Sequence, residues 1–203
     1  MGRVNQLAIR LMRERGIELV GAINRAGPKV GQDAGILAGL GEPIGIAVSA
    51  DVERVLDTPA DLVLVAIYDD LQRMMPIFRT CMAHGLNVIS VGAHHSYPWH
   101  VTPSLAAELD ALAKQRGVTI TGTGNQDFFM VNLGTLLSGV CQRIERIVHR
   151  SLTDVNSFGP EVAEVTFVGE SASDFDKRAA NFPPSIYTTF WHNVAADLAL
   201  TVS

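Results

Sequence analysis

Charge is scarce in this chain, and positive charge is scarcer still. Only 18% of the 203 residues are charged, and 16 basic side chains stand against 21 acidic ones for a formal net charge of −5. Proteins that read nucleic acid usually carry a basic patch or stripe, so a nucleic-acid partner is not expected. Long apolar runs are missing too. The longest uncharged apolar stretch in the middle of the chain is Leu62–Tyr68, far short of the ~20 residues that span a bilayer. The first fifteen residues are polar and basic, which is not the pattern of a secretory leader. Cysteine is nearly absent. Cys81 and Cys141 are sixty positions apart, too few and too distant for a disulfide scaffold or a zinc ribbon. Both lie in apolar helical contexts and read as reduced core thiols. These absences point to a cytoplasmic protein without membrane or nucleic-acid partners. What is abundant is hydrophobic residues, 47% of the chain, enough for a packed core.

One pattern recurs three times. A helix-like segment ends in a polar residue, a glycine follows, and an apolar run begins. The cases are Gly16 before Ile17–Ile23, Gly85 before Leu86–Val91, and Gly117 before Val118–Thr123. Glycine just past a helix is the favoured left-handed stop. The apolar runs do not alternate with polar residues, which marks parallel strands buried on both faces. Leu62–Tyr68 is a fourth such run. Between them lie helices. Val4, Leu7, Ala8 and Leu11 share one face at helical spacing. Asp69 or Asp70 caps a helix that contains Pro76, expected either to kink it or to mark its first turn. Thr102 and Pro103 open another helix that runs to Gly117. Strands alternating with helices mean an α/β fold with a parallel sheet.

Beyond Gly124 the texture changes. Phe128–Val140 reads as a buried helix and Arg143–Phe158 as an extended strand. Ser171 or Ser173 caps a short helix, and Pro183-Pro184 opens a final one. We place a nucleotide-binding-like domain at residues 1–124 and a partial α+β domain for substrate binding or oligomerisation at 125–203.

A dinucleotide-binding unit starts with a strand, a G-x-G-x-x-G loop and a helix whose N-terminus meets the pyrophosphate. This sequence opens at Met1-Gly2-Arg3 and enters the helix at once. The expectation is a Rossmann-type sheet lacking its first, central strand, with two neighbours left unpaired and apolar surface exposed. Gly2, Arg3 and Val4 would meet the pyrophosphate. The second strand ends in Asn24-Arg25 with Lys29 close by and no acid. An arginine there suits the 2′-phosphate of NADP, whereas an acid suits the 2′-hydroxyl of NAD. NADP is therefore expected, with NAD possible.

Several stretches also resemble a known family. They are Val20-Gly21-Ala22-Ile23, Lys29-Val30-Gly31, Asn87-Val88-Ile89-Ser90, Tyr97-Pro98, Gly122-Thr123-Gly124-Asn125, Asp154 through Phe158-Gly159-Pro160, and Ser185-Ile186-Tyr187. The chain resembles the amine dehydrogenase and 2,4-diaminopentanoate dehydrogenase family, whose nucleotide domain is like that of dihydrodipicolinate reductase. The resemblance covers nearly the whole chain. It implies an NAD(P)-dependent homo-oligomer, a dimer at its simplest. It implies interconversion of a small amine with a ketone and ammonia by hydride transfer through an imine. Against the family pattern the chain reads as truncated at both ends. It also departs at the expected pocket. The family carries acidic residues before its tyrosine-proline pair where this chain has His94-His95-Ser96-Tyr97-Pro98. Gln126 and Asp127 replace a proline and a glycine after Asn125.

Ligands of open α/β sheets bind beyond the carboxyl ends of the strands. His94 and His95 follow such an end, and an imidazole exchanges protons near neutral pH. Together with Tyr97 they are the catalytic candidates. Ala66, Ile67, Ser90, Val91 and Gly92 lie where a nicotinamide ring would rest. Tyr68, Asn125 and Asp127 are candidate substrate contacts, although Asp127 also suits a helix cap. Asp69 and Asp70 read more simply as caps. No metal site is expected, because His94, His95 and His100 have no regularly spaced carboxylate or cysteine beside them. Two other functions fit the sequence: a cyclic-imine reductase of the dihydrodipicolinate type, and a truncated, non-catalytic nucleotide- or partner-binding protein.

Overall fold

The computed structural model describes residues 2–124, 129–148, 150, 152, 154–155, 163–164, 166–180 and 186–201. The first helix, α1 (Arg3–Glu14), leads to β1 (Ala22–Ile23), α2 (Ala34–Ala38), β2 (Val48–Ser49) and α3 (Val52–Leu56). β1 and β2 run parallel, with Ala22 opposite Val48 and Ile23 opposite Ser49. A small core of Ile9, Ala22, Ala34, Ala38 and Val48 joins them. Its loops are tied by Asp33, which caps α2. The Asp33 carboxylate accepts backbone N–H groups from Gly35 (2.8 Å), Ile36 (3.2 Å), Ile44 (3.0 Å) and Gly45 (2.8 Å).

The second unit of sheet is larger. β3 (Leu62–Val65), β4 (Asn87–Ser90) and β5 (Ile120–Gly122) form a parallel sheet in that order. α4 (Leu71–Ala83) connects the first two strands. A 3₁₀ turn (Ala93–His95), α5 (Pro98–Val101) and α6 (Pro103–Arg116) connect the next two. Phe78, Met74 and Met82 of α4 are fully buried against Val65, Val88, Leu109 and Ala113. Fully burying side chains of this size is worth about 1.5–3 kcal/mol each. α6 stops where the sequence says, with Gly117 in the left-handed region at φ 67°. Pro76 lies inside α4 and the helix continues past it to Ala83.

The α/β, parallel, Rossmann-type character expected from the sequence is therefore present. Among the described residues the two sheets are not hydrogen bonded to each other. The apolar stripe of α1 faces solvent, with Val4 53%, Leu7 48% and Leu11 41% exposed. Both features match the expectation of a sheet without its central strand. Asn5 ties the two halves, its side-chain amide donating to the Ala66 carbonyl at 3.3 Å.

Several elements differ from the sequence reading. The run Ile17–Ile23 yields a two-residue strand, because its partner β2 is itself only two residues long and a ladder cannot outrun its neighbour. The described residues between 143 and 155 form no strand. α7 (Met130–Ser138) is far less buried than its composition suggests: Val131 is buried, while Leu136, Leu137 and nearby Val140 are exposed. Cys141 is exposed as well, and of the two cysteines Cys81 is the core thiol, its ionisation pushed up to about 11 by burial. α8 (Ala172–Ala179) is capped by Ser171, and α9 (Ile186–Asp197) packs Phe190 and Val194 onto Val131.

The Asp33 clamp generates a prediction. Burial raises the affinity of this carboxyl for a proton, but the four N–H donors outweigh it and hold the group below the usual carboxylate range. A lowered native value stabilises above the unfolded value and is lost as pH falls through the native one. Asp33→Ala removes a cap and four hydrogen bonds, and is expected to lower the melting temperature by roughly 4–8 °C at pH 7. The difference from wild type should shrink below about pH 4. Equal melting temperatures at pH 7 would refute the clamp.

Candidate functional site

The site begins with two glycines. The segment after β4 folds back as the 3₁₀ turn and lies against the end of β5. A Cβ on Gly122 would sit 2.2 Å from the Ser96 nitrogen and 2.3 Å from the His95 carbonyl carbon. A Cβ on Gly92 would sit 2.3 Å from His95 Nδ1. Backbone and ring occupy the space that side chains would need. The turn is fixed further by hydrogen bonds. Thr123 N–H donates to the Ser90 carbonyl at 2.7 Å, and His95 N–H donates to the Gly92 carbonyl at 3.0 Å.

This seating sends the paired histidines in different directions. His95 goes inward and is only 6% exposed. Its Nδ1 hydrogen bonds Ser90 Oγ at 2.7 Å, and its ring meets Phe78 edge-on at 5.4 Å. The same Ser90 oxygen accepts the Gly92 N–H at 3.3 Å. Ser90 and Gly92, expected beside a nicotinamide, thus support His95 directly. Burial depresses the His95 ring below its ordinary value; Asp69 pulls the other way and His94 adds to the depression. Ser90 and His95 also line a cavity of about 340 Å³ together with residues of α6 and β5.

His94 stays half-buried at the surface of the turn. Its backbone N–H donates to Asp69 Oδ1 at 2.9 Å, and its Nε2 lies 3.9 Å from Asp69 Oδ2. On the other side its Nδ1 pairs with Thr189 Oγ1 of α9 at 2.9 Å. The two adjacent aspartates divide their work. Asp70 caps α4 by accepting the Arg73 N–H at 3.1 Å, and Asp69 serves His94. Thr189 is 1% exposed. Sequence alone gave no signal for it, since a threonine in an apolar helix looks like any other. Nearby, His100 of α5 stacks on His192 of α9, with ring centroids 3.4 Å apart. Burial lowers the His100 value, and His192 and His94 lower it further.

The remaining expected residues fall around this point. Tyr97 is half-buried just before Pro98. The exposed ring of Tyr68 carries the Arg73 guanidinium 3.7 Å above its centre. Ile67 is exposed, and Val91 N–H extends the ladder by donating to the Val65 carbonyl at 3.1 Å. Asn125 and Asp127 lie outside the described residues.

At the other end of the crevice α1 presents its N-terminus. Gly2 stands at the cap, offers no side-chain acceptor to the first turn, and has open space where a Cβ would be. The Asn5–Ala66 bond sets this terminus beside the carboxyl end of β3. Arg3, Val4 and Arg25 are exposed, and the Asn24 amide donates to the Arg25 carbonyl at 3.0 Å. A helix N-terminus with room before it suits a pyrophosphate, and Arg25 suits an added phosphate. These residues fit a dinucleotide.

Comparison with known proteins shows what the chain as a whole is similar to. Residues 1–93 match the family described as "Dihydrodipicolinate reductase, N-terminus". A 2,4-diaminopentanoate dehydrogenase from Acetoanaerobium sticklandii is 30% identical over 84% of this chain and 49% of its own length. A 4-hydroxy-tetrahydrodipicolinate reductase from Anaeromyxobacter dehalogenans is 46% identical over 65 residues, 31% of this chain and 23% of its own length. Among solved structures, an amine dehydrogenase from Mycobacterium smegmatis superposes with a TM-score of 0.82 at 39% identity, over 99% of this chain and 60% of that one. The chain thus spans about half the length of the 2,4-diaminopentanoate dehydrogenase it matches.

The buried His95 makes stability depend on pH. Its native value lies below the unfolded ~6.5, so its contribution is full above that value and declines as pH falls toward the native one. Urea unfolding of wild type should weaken between pH 7.5 and 5.5, with a slope from this one group of no more than about 1.4 kcal/mol per pH unit. His95→Leu should flatten part of that slope. An unchanged slope in the variant would contradict the assignment of His95 as a buried neutral ring.

Proposed function

We propose, for a chain related to the 2,4-diaminopentanoate dehydrogenases and amine dehydrogenases and carrying an N-terminal domain of the dihydrodipicolinate reductase type, an NAD(P)-dependent oxidoreductase acting on a small amine, imine or carbonyl compound. The observation that carries this reading is His94, held between Asp69 and Thr189 beyond the carboxyl ends of β3 and β4, on the side of the sheet where α1 presents its N-terminus.

The residues divide the work. Gly2, Arg3 and Val4 bind the pyrophosphate at the end of α1. Asn24 and Arg25 take the adenosine ribose, and the exposed guanidinium favours NADP over NAD. Ala66, Ile67 and Val91 border the reacting ring, while Ser90 and Gly92 hold the turn that carries the histidines. The nicotinamide, when bound, gives or takes a hydride. His94 gives or takes the accompanying proton at the substrate nitrogen or oxygen. Its Nε2 faces Asp69 Oδ2 across a 3.9 Å gap, and a carboxylate there stabilises an imidazolium as it forms. Tyr68 and Tyr97 line the approach of the substrate. His95, enclosed by Ser90, Phe78 and Gly92, acts as a support. Residues 125–203 would add the substrate-binding and oligomer-forming part, in a cytoplasmic homo-oligomer.

Arg25→Asp is expected to move the preference from NADP toward NAD by at least tenfold in kcat/KM, because an acid repels the 2′-phosphate and accepts the 2′-hydroxyl. His94→Ala should cut turnover by ~10²-fold, the scale of general acid–base catalysis, with NADPH affinity unchanged within about twofold. The assay is reductive amination of a panel of small ketones with ammonia, followed by NADPH absorbance. Wild-type-like turnover in His94→Ala, or cofactor kinetics unmoved by Arg25→Asp, would remove that residue from its role. A wild-type protein that turns over no member of the panel would refute the oxidoreductase reading.

A further inference from the structure

We propose that Thr189 is a positioning residue for His94. Its hydroxyl, delivered by α9, keeps the imidazole in one orientation whether the ring is neutral or protonated. The inference rests on the reading of His94 as the proton carrier, and it assigns a role to a helix remote in sequence from the turn.

The geometry starts from burial. Thr189 is among the few polar side chains in the core, at 1% exposure. A buried hydroxyl needs a partner. Two other helical hydroxyls turn back on their own helix, Thr80 donating to the Pro76 carbonyl at 3.0 Å and Ser138 to the Gly134 carbonyl at 2.6 Å, while Thr135 of α7 reaches Asp197 of α9 at 3.3 Å. Such back-bonding is the ordinary fate of a helical hydroxyl. Thr189 instead reaches across to another element and meets His94 Nδ1 at 2.9 Å. The apolar neighbours of that helix, Phe190 and Val194, fix its height by packing on Val131.

An uncharged hydroxyl suits this position, because its oxygen accepts a hydrogen bond without adding a charge that would hold the proton on the ring. When His94 is neutral, its proton stays on Nδ1 and is donated to Thr189 Oγ, which leaves the Nε2 lone pair free to take a proton. When the ring is protonated at Nε2, Nδ1–H still donates to Thr189 Oγ, so one contact serves both states and Nε2 is the nitrogen that exchanges the proton. A carboxylate at this place would accept in both states and favour the imidazolium throughout. An aliphatic side chain would do neither and leave the ring free to change tautomer. The opposite edge of His94 is bounded by Asp69, whose Oδ1 is already committed to the backbone N–H. The other titratable groups near the ring are Asp70 before α4, His95 on the same turn, His100 on α5 and His192 stacked on it from α9. The hydrogen bond on His94 Nδ1 is made with Thr189 at 2.9 Å, so the orientation of that edge falls to Thr189.

The test uses the full chain. Long-range proton–nitrogen NMR of the histidine rings, recorded from pH 5.5 to 8.5, reads the tautomer of each imidazole from its two nitrogen shifts. His94 of the wild type should show one dominant tautomer when neutral, with widely separated shifts. Thr189→Val keeps the shape and removes the hydroxyl; the separation should fall by at least half. Thr189→Ser keeps the hydroxyl and should retain it. An unchanged separation in Thr189→Val overturns the proposal. So does a Thr189→Ser spectrum as collapsed as that of Thr189→Val, since the change would then come from repacking. Steady-state kinetics give the second arm: kcat down about tenfold in Thr189→Val, KM for NADPH within about twofold, and recovery in Thr189→Ser. These NMR outcomes stand whether or not the protein turns over the ketone panel, so failure of the oxidoreductase reading and failure of the Thr189 assignment are told apart.

Discussion

The site depends on the space left by two missing side chains. The turn after β4 can lie on the end of β5 only because Gly122 has no Cβ, and the His95 ring can fold beneath it only because Gly92 has none. A contact of 2.2 Å to backbone cannot be relieved by a rotamer change, so the backbone itself would have to move. Once the turn is seated, alternate residues take opposite fates. His95 is drawn into the core against Phe78 and Ser90. His94 is left at the rim, where Asp69 from the β3 end and Thr189 from α9 close on it. A dipeptide of two identical residues thus becomes one support and one group able to work at the surface.

That seating matters because the sheet beneath it is divided. The larger core, built on Phe78, Met74 and Met82, holds β3, β4 and β5 and carries the histidine turn. The smaller core holds β1 and β2 and carries Asn24 and Arg25. Among the described residues the strands of the two cores share no ladder. Their alignment comes in part from α1, whose Asn5 side chain reaches the Ala66 carbonyl, while its Arg10 side chain holds the Ala38 carbonyl at 2.7 Å. One helix thus ties the half that carries Asn24 and Arg25 to the half that carries the histidine turn, although its apolar stripe lies open to water. Any dinucleotide laid along the crevice would bridge the same two halves, so binding and alignment of the cores are linked: a ligand that contacts both favours the arrangement in which both are in place.

Much of the architecture was legible because glycine and apolar runs punctuate this sequence plainly. Gly85 and Gly117 mark helix ends, Thr102-Pro103 marks a start, and the unbroken runs at Leu62 and Leu86 become paired parallel strands. Strand length was not legible. Ile17–Ile23 reads as a full strand, but its neighbour is only two residues long, and a ladder is a property of pairs. Burial beyond Gly124 was misread for a related reason. The composition of Phe128–Val140 reports how apolar the helix is, not whether anything described covers it, and Leu136, Leu137 and Val140 face solvent. Asp69 and Asp70 could not be separated from sequence, since either caps a helix equally well. The structure gives the cap to Asp70 because its carboxylate meets the Arg73 N–H, which leaves Asp69 for His94.

The choice of partners around His94 says what the ring is suited for. A histidine meant only to pack would resemble His95, with a neutral ring enclosed and its charge disfavoured by burial. One meant only to bridge charges would resemble His84, which lies between Glu53 at 2.8 Å and Asp57 at 3.1 Å at the end of α4. His94 has neither environment. It has a hydroxyl on one nitrogen, able to serve either protonation state, and a carboxylate on the other at a distance too long for a hydrogen bond. That combination holds the ring on one side and leaves Nε2 open to a third group. The proton-carrying role proposed for His94 needs a ring held on one nitrogen and open on the other, and this is the arrangement its partners give it.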